Sequence, residues 1–129
     1  MDIPKDLVYT KDHEWGKIED TRLRVGISDY AQSELGDIVY VEFEKTGSKV
    51  TAGDKVGTVE SVKAVSEIFA PVGGTIIEIN SSLEQAPEII NTDCYGQAWM
   101  VIIDMDDPSE IDMLMNADTY RKYLEAEAK

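Results

Sequence analysis

One stretch of the chain reads Gly57-Thr58-Val59-Glu60-Ser61-Val62-Lys63-Ala64-Val65 and predicts a β-hairpin with a lysine at its tip. Apolar and β-branched residues, which are typical of strands, lie on both sides of Lys63. The turn between them contains neither glycine nor proline. The two strands would hold the lysine outward, where an amine on a flexible stem is open to covalent attachment. Taken alone, this position is also compatible with an ordinary solvated turn lysine.

Two glycine-containing turns flank the predicted hairpin. Gly53-Asp54-Lys55-Val56-Gly57 leads into the strand before the lysine, and Pro71-Val72-Gly73-Gly74-Thr75 follows the strand after it. Glycine is favoured where the backbone turns tightly or another segment approaches it closely. We therefore predict one strand over residues 55–61 and its partner over residues 64–69.

The rest of the chain predicts further short strands and a few short helices. Alternating or β-branched segments indicate strands at residues 21–27, 37–43, 75–80 and 99–103. The predicted helices are one capped by Ser28 and followed by Gly36, a helical turn around Glu84 to Glu88, and two C-terminal helices capped by Ser109 and Asn116.

Together these elements predict a mainly β fold. We expect a small barrel-sandwich of short strands, with a short internal helix and C-terminal helices docked on it. The length of 129 residues suits a single domain. Its β core would span about residues 21–104, and its C-terminal helical segment about residues 109–128.

Composition argues against several classes of function. The net charge is −14, and no basic cluster is present, so we expect neither nucleic acid nor an anionic membrane as a partner. The single cysteine, Cys94, and the single histidine, His13, cannot form a tetrahedral metal site, and we predict none. A reactive Cys94 thiol is an alternative. Residues 1–6 lack the features of a signal peptide, so we expect a cytoplasmic protein, with a mature organellar form as the alternative.

Six motifs, in order and spacing over nearly the whole chain, resemble the H-protein family of the glycine cleavage system, whose members are lipoyl carriers. They are Tyr9-Thr10-Lys11-Asp12-His13-Glu14-Trp15, Val25-Gly26-Ile27-Ser28-Asp29-Tyr30-Ala31-Gln32, Leu35-Gly36-Asp37-Ile38-Val39, Val59-Glu60-Ser61-Val62-Lys63-Ala64-Val65, Pro87-Glu88-Ile89-Ile90-Asn91 and Tyr95-Gly96-Gln97-Ala98-Trp99-Met100.

The resemblance implies a role for four residues. Lys63 would carry lipoate in amide linkage, and Glu60 and Gly74 would help the lipoylating enzyme to recognise the hairpin. Glu14 would line the cleft in which the loaded arm rests and would hydrogen-bond its amine. The alternatives are an ordinary solvated strand residue for Glu60 and a simple turn glycine for Gly74.

The two neighbours of Glu14 are candidates for structural roles. His13 is predicted to be a hydrogen-bonding residue of the fold, and Trp15 to pack in the core. In the family, the segment that contains these two residues lies near the cleft. The alternative for His13 and for Trp15 is therefore a role in the functional site.

The resemblance also implies a non-catalytic carrier. It would take the aminomethyl group of glycine from the decarboxylase (P protein) to the aminomethyltransferase (T protein), and electrons to dihydrolipoamide dehydrogenase (L protein). A lipoate-attaching enzyme would be a fourth partner. The alternatives are a protein that relays lipoate to other proteins, a lipoyl domain of a 2-oxo acid dehydrogenase, a biotin carrier, and an unmodified β-sandwich interaction module.

Overall fold

The computed structural model describes residues 1–127. The predicted C-terminal helical segment reached residue 128, which lies outside the described residues. The strands are β1 Val8–Tyr9, β2 Glu14–Glu19, β3 Arg22–Ile27, β4 Ile38–Phe43, β5 Lys49–Val50, β6 Lys55–Ser61, β7 Val65–Phe69, β8 Gly74–Ile79 and β9 Val101–Met105. The helices are α1 Asp29–Leu35, α2 Ser82–Gln85, α3 Ile89–Thr92, a 3₁₀ helix Pro108–Met113 and α4 Ala117–Glu127.

The strands form two antiparallel sheets. The larger sheet has the order β1-β2-β3-β9-β8-β5, and the smaller one has the order β4-β6-β7. The prediction of a mainly β fold with a few helices is confirmed, and the two sheets are arranged as a sandwich and do not close into a barrel. The larger sheet includes β1 and β2, which precede the predicted core of residues 21–104.

The main hydrophobic core lies between the two sheets. Apolar residues that alternate along each strand point inward, such as Val41 and Val59 from the smaller sheet and Leu23 and Ile103 from the larger one. All four side chains are essentially inaccessible to solvent. Because side chains alternate between the faces of a strand, the same register directs the intervening residues of the smaller sheet outward.

A second apolar cluster attaches the C-terminal helix to the sandwich. Tyr120 of α4 stacks on Tyr9 of β1, with ring centroids 4.5 Å apart and planes within 1°. Leu124 and Trp15 are further buried members of this cluster. Burial of this apolar face explains why α4 docks on the strands.

Two helix predictions need correction. The 3₁₀ helix is capped by Asp107, whose carboxylate accepts a hydrogen bond from the Ser109 backbone N–H, so the prediction of Ser109 as the cap was wrong. The cap at Asn116 is confirmed, because its side-chain oxygen accepts from the Thr119 backbone N–H. In place of one helical turn around residues 84–88, the chain forms α2 and α3 with a break between them.

Candidate functional site

The predicted lysine hairpin is present, and a serine closes its turn. The backbone N–H of Ser61 donates to the carbonyl oxygen of Ala64 at 2.8 Å. The Ser61 hydroxyl oxygen accepts hydrogen bonds from the backbone N–H groups of Lys63 at 3.3 Å and Ala64 at 3.0 Å. Side-chain bonds of this kind can replace backbone turn bonds, which explains how the tip forms without glycine. Lys63 therefore occupies a turn of defined shape and is exposed to solvent.

The tip is also tied to the chain segment that leads into β4. The backbone N–H of Val62 donates to the carbonyl oxygen of Asp37 at 3.0 Å. On either side of Asp37, the side chain of Asn91 accepts a hydrogen bond from the Ile38 backbone N–H and donates one to the Gly36 carbonyl oxygen, both at 2.9 Å. Asn91 thus fixes the backbone that holds the lysine turn.

Gly36 ends α1 beside the lysine side chain. Its φ of 78° is in the left-handed region that favours glycine, and its backbone N–H donates to the Gln32 carbonyl oxygen. A Cβ atom placed on Gly36 would lie 3.6 Å from Cε of Lys63. The stem of Lys63 therefore passes over the end of α1.

Glu60 lies on the outer face of the hairpin, close to the lysine. It is half-buried, and its cross-strand neighbours are Tyr40 on β4 and Val65 on β7. The structure thus brings Glu60 and Lys63 together at one end of the smaller sheet. The carboxylate lies in a strand, and the ammonium lies in the turn that follows it.

Gly74 lies elsewhere, as the first residue of β8 in the larger sheet. It is buried and pairs with Val50 and Met105. A Cβ atom at this position would overlap the backbone carbonyl oxygen of Asp104. Close packing of β8 against β9 therefore gives a sufficient physical reason for glycine here.

Glu14 is a buried carboxylate that joins the two sheets. It is 1% exposed; one oxygen accepts from the Thr10 hydroxyl at 2.6 Å, and the other accepts from the Phe69 backbone N–H at 3.1 Å. Burial raises the pKa of Glu14 from 4.5 to about 7, although both hydrogen bonds oppose the shift. Phe69 is at the end of β7 remote from the tip, ~13 Å from Val65 at about 3.3 Å per residue.

The two neighbours of Glu14 have structural contacts. His13 Nδ1 lies 2.9 Å from the Tyr120 hydroxyl, and its Nε2 lies 3.3 Å from a Glu127 carboxylate oxygen. Trp15 is fully buried, and its Nε1–H donates to the Cys94 carbonyl oxygen at 2.9 Å. These contacts agree with the predictions of a hydrogen-bonding residue of the fold and a core residue.

Cys94 is a buried free thiol. Burial raises its pKa to about 12, so the reactive thiolate is strongly disfavoured at neutral pH. The sole histidine, His13, is bonded to Tyr120 and Glu127. The structure therefore supplies no activation for a catalytic cysteine within residues 1–127.

Asn91 and Ser61 are the residues whose structural roles at the tip were not predicted. Both belong to motifs that carry the family resemblance, Pro87–Asn91 and Val59–Val65, but no local pattern in these motifs indicates what either side chain bonds. A half-buried amide that bridges segments 53 positions apart leaves no local pattern.

Residues 1–127 contain neither a candidate metal site nor a candidate membrane-spanning helix. No group of three or more His, Cys, Asp or Glu side chains is placed to hold a metal ion. In the same part of the chain, none of the helices combines the length and apolar character needed to cross a lipid bilayer.

The fold and the site define a small antiparallel β-sandwich that displays one lysine on a braced hairpin. A family model described as glycine cleavage H-protein matches residues 7–127. The chain therefore belongs to the glycine cleavage H-protein family.

Individual relatives agree with this assignment. The chain is 52% identical over 124 residues to the glycine cleavage system H protein of Geobacillus kaustophilus (strain HTA426), covering 96% of this chain and 98% of the relative. It is 55% identical over 120 residues to that of Salinibacter ruber (strain DSM 13855 / M31), covering 93% and 97%. A crystal structure of a glycine cleavage system H protein from Mycobacterium marinum superposes with a TM-score of 0.86 at 39% identity, covering 93% of this chain and 97% of that one.

Proposed function

We propose that Lys63 carries a lipoyl group in amide linkage and that the protein is the lipoyl-bearing carrier of the glycine cleavage system. The observation that carries the proposal is the exposed lysine on a turn braced by Ser61 and Asp37, in a chain of the H-protein family. When attached, lipoate would supply a dithiolane whose S–S bond opens as it takes up the aminomethyl group of glycine, and after that group is passed on, the remaining dithiol would give up two electrons and two protons to close the S–S bond again.

The side chains of the protein would then position the arm and would take part in no covalent step of the transfer. Ser61 and Asp37 fix the attachment point, and Glu60 offers a carboxylate to a basic group of the lipoate-attaching enzyme. Gly74 supports recognition by allowing β8 to pack against β9, as the overlap with Asp104 indicates. This division of roles makes the protein a non-catalytic carrier.

Glu14 is proposed to receive the cationic amine of the loaded arm. A carboxylate accepts several hydrogen bonds, so the bonds from Thr10 and Phe69 leave acceptor capacity. An ammonium group arriving beside Glu14 would favour the ionised carboxylate and lower its raised pKa. Holding the amine in a cleft would also exclude water from a labile adduct.

The proposed partners are four enzymes. They are glycine decarboxylase, aminomethyltransferase, dihydrolipoamide dehydrogenase and the lipoate-attaching enzyme. Tethering would raise the local concentration of the arm at each partner once the proteins dock. We place the protein in the cytoplasm, where the free thiol of Cys94 stays reduced.

The experiment is a reconstituted glycine cleavage assay with Lys63→Arg. Arginine keeps the positive charge and a similar length but cannot form the amide, so transfer should be abolished while the thermal unfolding midpoint stays unchanged. Lys55→Arg is a matched control, because Lys55 is an exposed lysine at the start of β6, the strand that leads into the lysine turn. Glycine cleavage that survives Lys63→Arg would rule out the proposed attachment site.

A further inference from the structure

Four exposed apolar side chains surround the lysine tip. Val62 is 70% exposed, Val65 62%, Val39 51% and Tyr40 49%. The other large apolar side chains that are strongly exposed among the described residues lie elsewhere: Met1 precedes β1, Ile18 is on β2 and Met113 ends the 3₁₀ helix. We call Val39, Tyr40, Val62 and Val65 the apolar frame. An exposed apolar cluster of this kind is typical of an interaction site.

A β-bulge in β4 helps to build the apolar frame. The pairing of β4 with β6 shifts between Ile38 and Tyr40, so that Val39 is an extra residue without its own partner. As a result, the consecutive residues Val39 and Tyr40 are both exposed, whereas regular alternation would bury one of them. The bulge therefore adds a second apolar side chain to the strand that borders the hairpin.

The strand register places Glu60 within the apolar frame. Tyr40 pairs with Glu60, and Glu60 pairs with Val65, so the three side chains form one row across the outer face of the smaller sheet. Tyr40 and Val65 cover the two sides of Glu60, which explains why this carboxylate is only half exposed.

The next row on the same face is acidic at both edges. Glu42 pairs with Thr58, which pairs with Glu67. The Tyr40 hydroxyl donates to a Glu42 carboxylate oxygen at 3.2 Å. The nearby carboxylates of Glu42, Glu84 and Glu60 raise the pKa of the Tyr40 phenol, Glu42 contributing most. The apolar frame is thus bordered by negative charge.

We propose that the apolar frame docks the enzyme that attaches the lipoyl group, through an apolar surface flanked by lysine or arginine side chains. The inference rests on the proposed modification of Lys63. The unmodified ammonium is only four methylene groups from Cα, so the enzyme must bring its acyl donor close to the turn itself. That approach forces contact with Tyr40, Val62 and Val65, whereas enzymes that act on the loaded arm reach it further from the tip.

The test measures initial rates of lipoylation with a lipoate ligase, lipoate and ATP, using the intact protein as the varied substrate. Tyr40→Ala should raise KM about tenfold, because truncation of a central aromatic contact weakens an interface most. The kcat should change less than twofold, and prolonged incubation should give complete modification of Lys63. Ile18→Ala is the control, because Ile18 is similarly exposed, at 48%, on β2 of the other sheet.

A second variant tests the frame without changing the strand that carries the bulge. Val62→Ser with Val65→Ser should also raise KM. A separate variant, Glu42→Gln with Glu67→Gln, tests the acidic border of the frame and should make KM less sensitive to added salt. Circular dichroism and the unfolding midpoint check that each variant is folded.

The outcomes separate this inference from the proposed function. If the wild-type protein is not modified by a competent ligase, the proposed function fails. If the wild-type protein is modified on Lys63 but both frame variants keep its KM, the docking surface is disproved and the proposed function stands. A raised KM in both frame variants, with the Ile18→Ala control unchanged, supports the docking surface.

Discussion

The side-chain oxygen of Asn91 accepts a hydrogen bond from the backbone N–H of Ile38 at 2.9 Å, across 53 positions of sequence. The amide nitrogen of Asn91 donates to Gly36 and to the Gln32 side chain. The residue between Gly36 and Ile38 is Asp37, whose carbonyl oxygen accepts from Val62 at the lysine tip. One side chain of α3 therefore braces the attachment turn through a single intervening backbone segment.

Asn91→Ala should loosen the lysine turn before the rest of the fold. Loss of these bonds should reduce the free energy of unfolding by about 1–3 kcal/mol. Hydrogen exchange of the Val62 amide should accelerate more than exchange of the amides of β9, and lipoylation should slow. The neighbouring Thr92→Ala, at an exposed position, is the control. Val62 exchange equal to that of the wild type would show that Asn91 does not brace the turn.

Gly74→Ala should destabilise the sandwich by steric overlap. The added Cβ would meet the carbonyl oxygen of Asp104, and overpacking of this kind costs about 1–3 kcal/mol. Gly47→Ala is the comparison that separates overlap from backbone strain, because Gly47 has a φ of 92°, which strains an alanine, but open space around a Cβ atom. We expect a larger fall in the unfolding midpoint for Gly74→Ala, and near-normal lipoylation of its folded fraction. A fully stable Gly74→Ala protein that resists lipoylation would instead favour direct recognition of Gly74.

Glu14 should make stability depend on pH in a defined window. Its pKa is raised from 4.5 to about 7 by burial, so the folded state binds more protons than the unfolded state between these values. The free energy of unfolding of the wild type relative to Glu14→Gln should therefore fall as pH rises from about 4.5 to about 7, by up to about 1.4 kcal/mol per pH unit. Denaturant unfolding of the wild type and of Glu14→Gln at several pH values in this range measures the difference between their free energies of unfolding. Parallel stability curves would contradict the raised pKa.

The Cys94 thiol should be inert in the folded protein. Its pKa is raised to about 12 by burial, and only the thiolate reacts. At pH 8 we expect its reaction with a disulfide reagent to be at least about a hundredfold slower than in the denatured protein. Absorbance of the released thiol follows both reactions. Rapid labelling of the folded protein would show that the thiol is accessible and ionised.

Local sequence patterns predicted the elements around the lysine well. β6 covers residues 55–61 as predicted, because turns at both ends and alternating apolar residues define it. Helix α1 begins after Ser28 and ends before Gly36, since capping chemistry is local. Prediction was weaker at residues 107–109, where Asp107 and Ser109 are both good capping residues and only the backbone geometry selects Asp107.

Long-range features of the site could not be predicted from local patterns. The bulge at Val39 depends on how β4 pairs with β6, and the burial of Glu14 depends on the approach of Phe69 from the other sheet. The packing of Gly74 against Asp104 likewise arises only when β8 and β9 are adjacent. Each of these features is set by tertiary contacts between distant segments.

Every role proposed for this protein depends on the attachment of lipoate to Lys63. The most direct measurement is the intact mass of the protein isolated from lipoate-replete cells that contain a competent ligase, followed by peptide mapping. We expect one lipoyl group per chain, on the peptide that contains Lys63. Protein that carries no lipoyl group under these conditions, or carries it on another lysine, would show that Lys63 is not the attachment site.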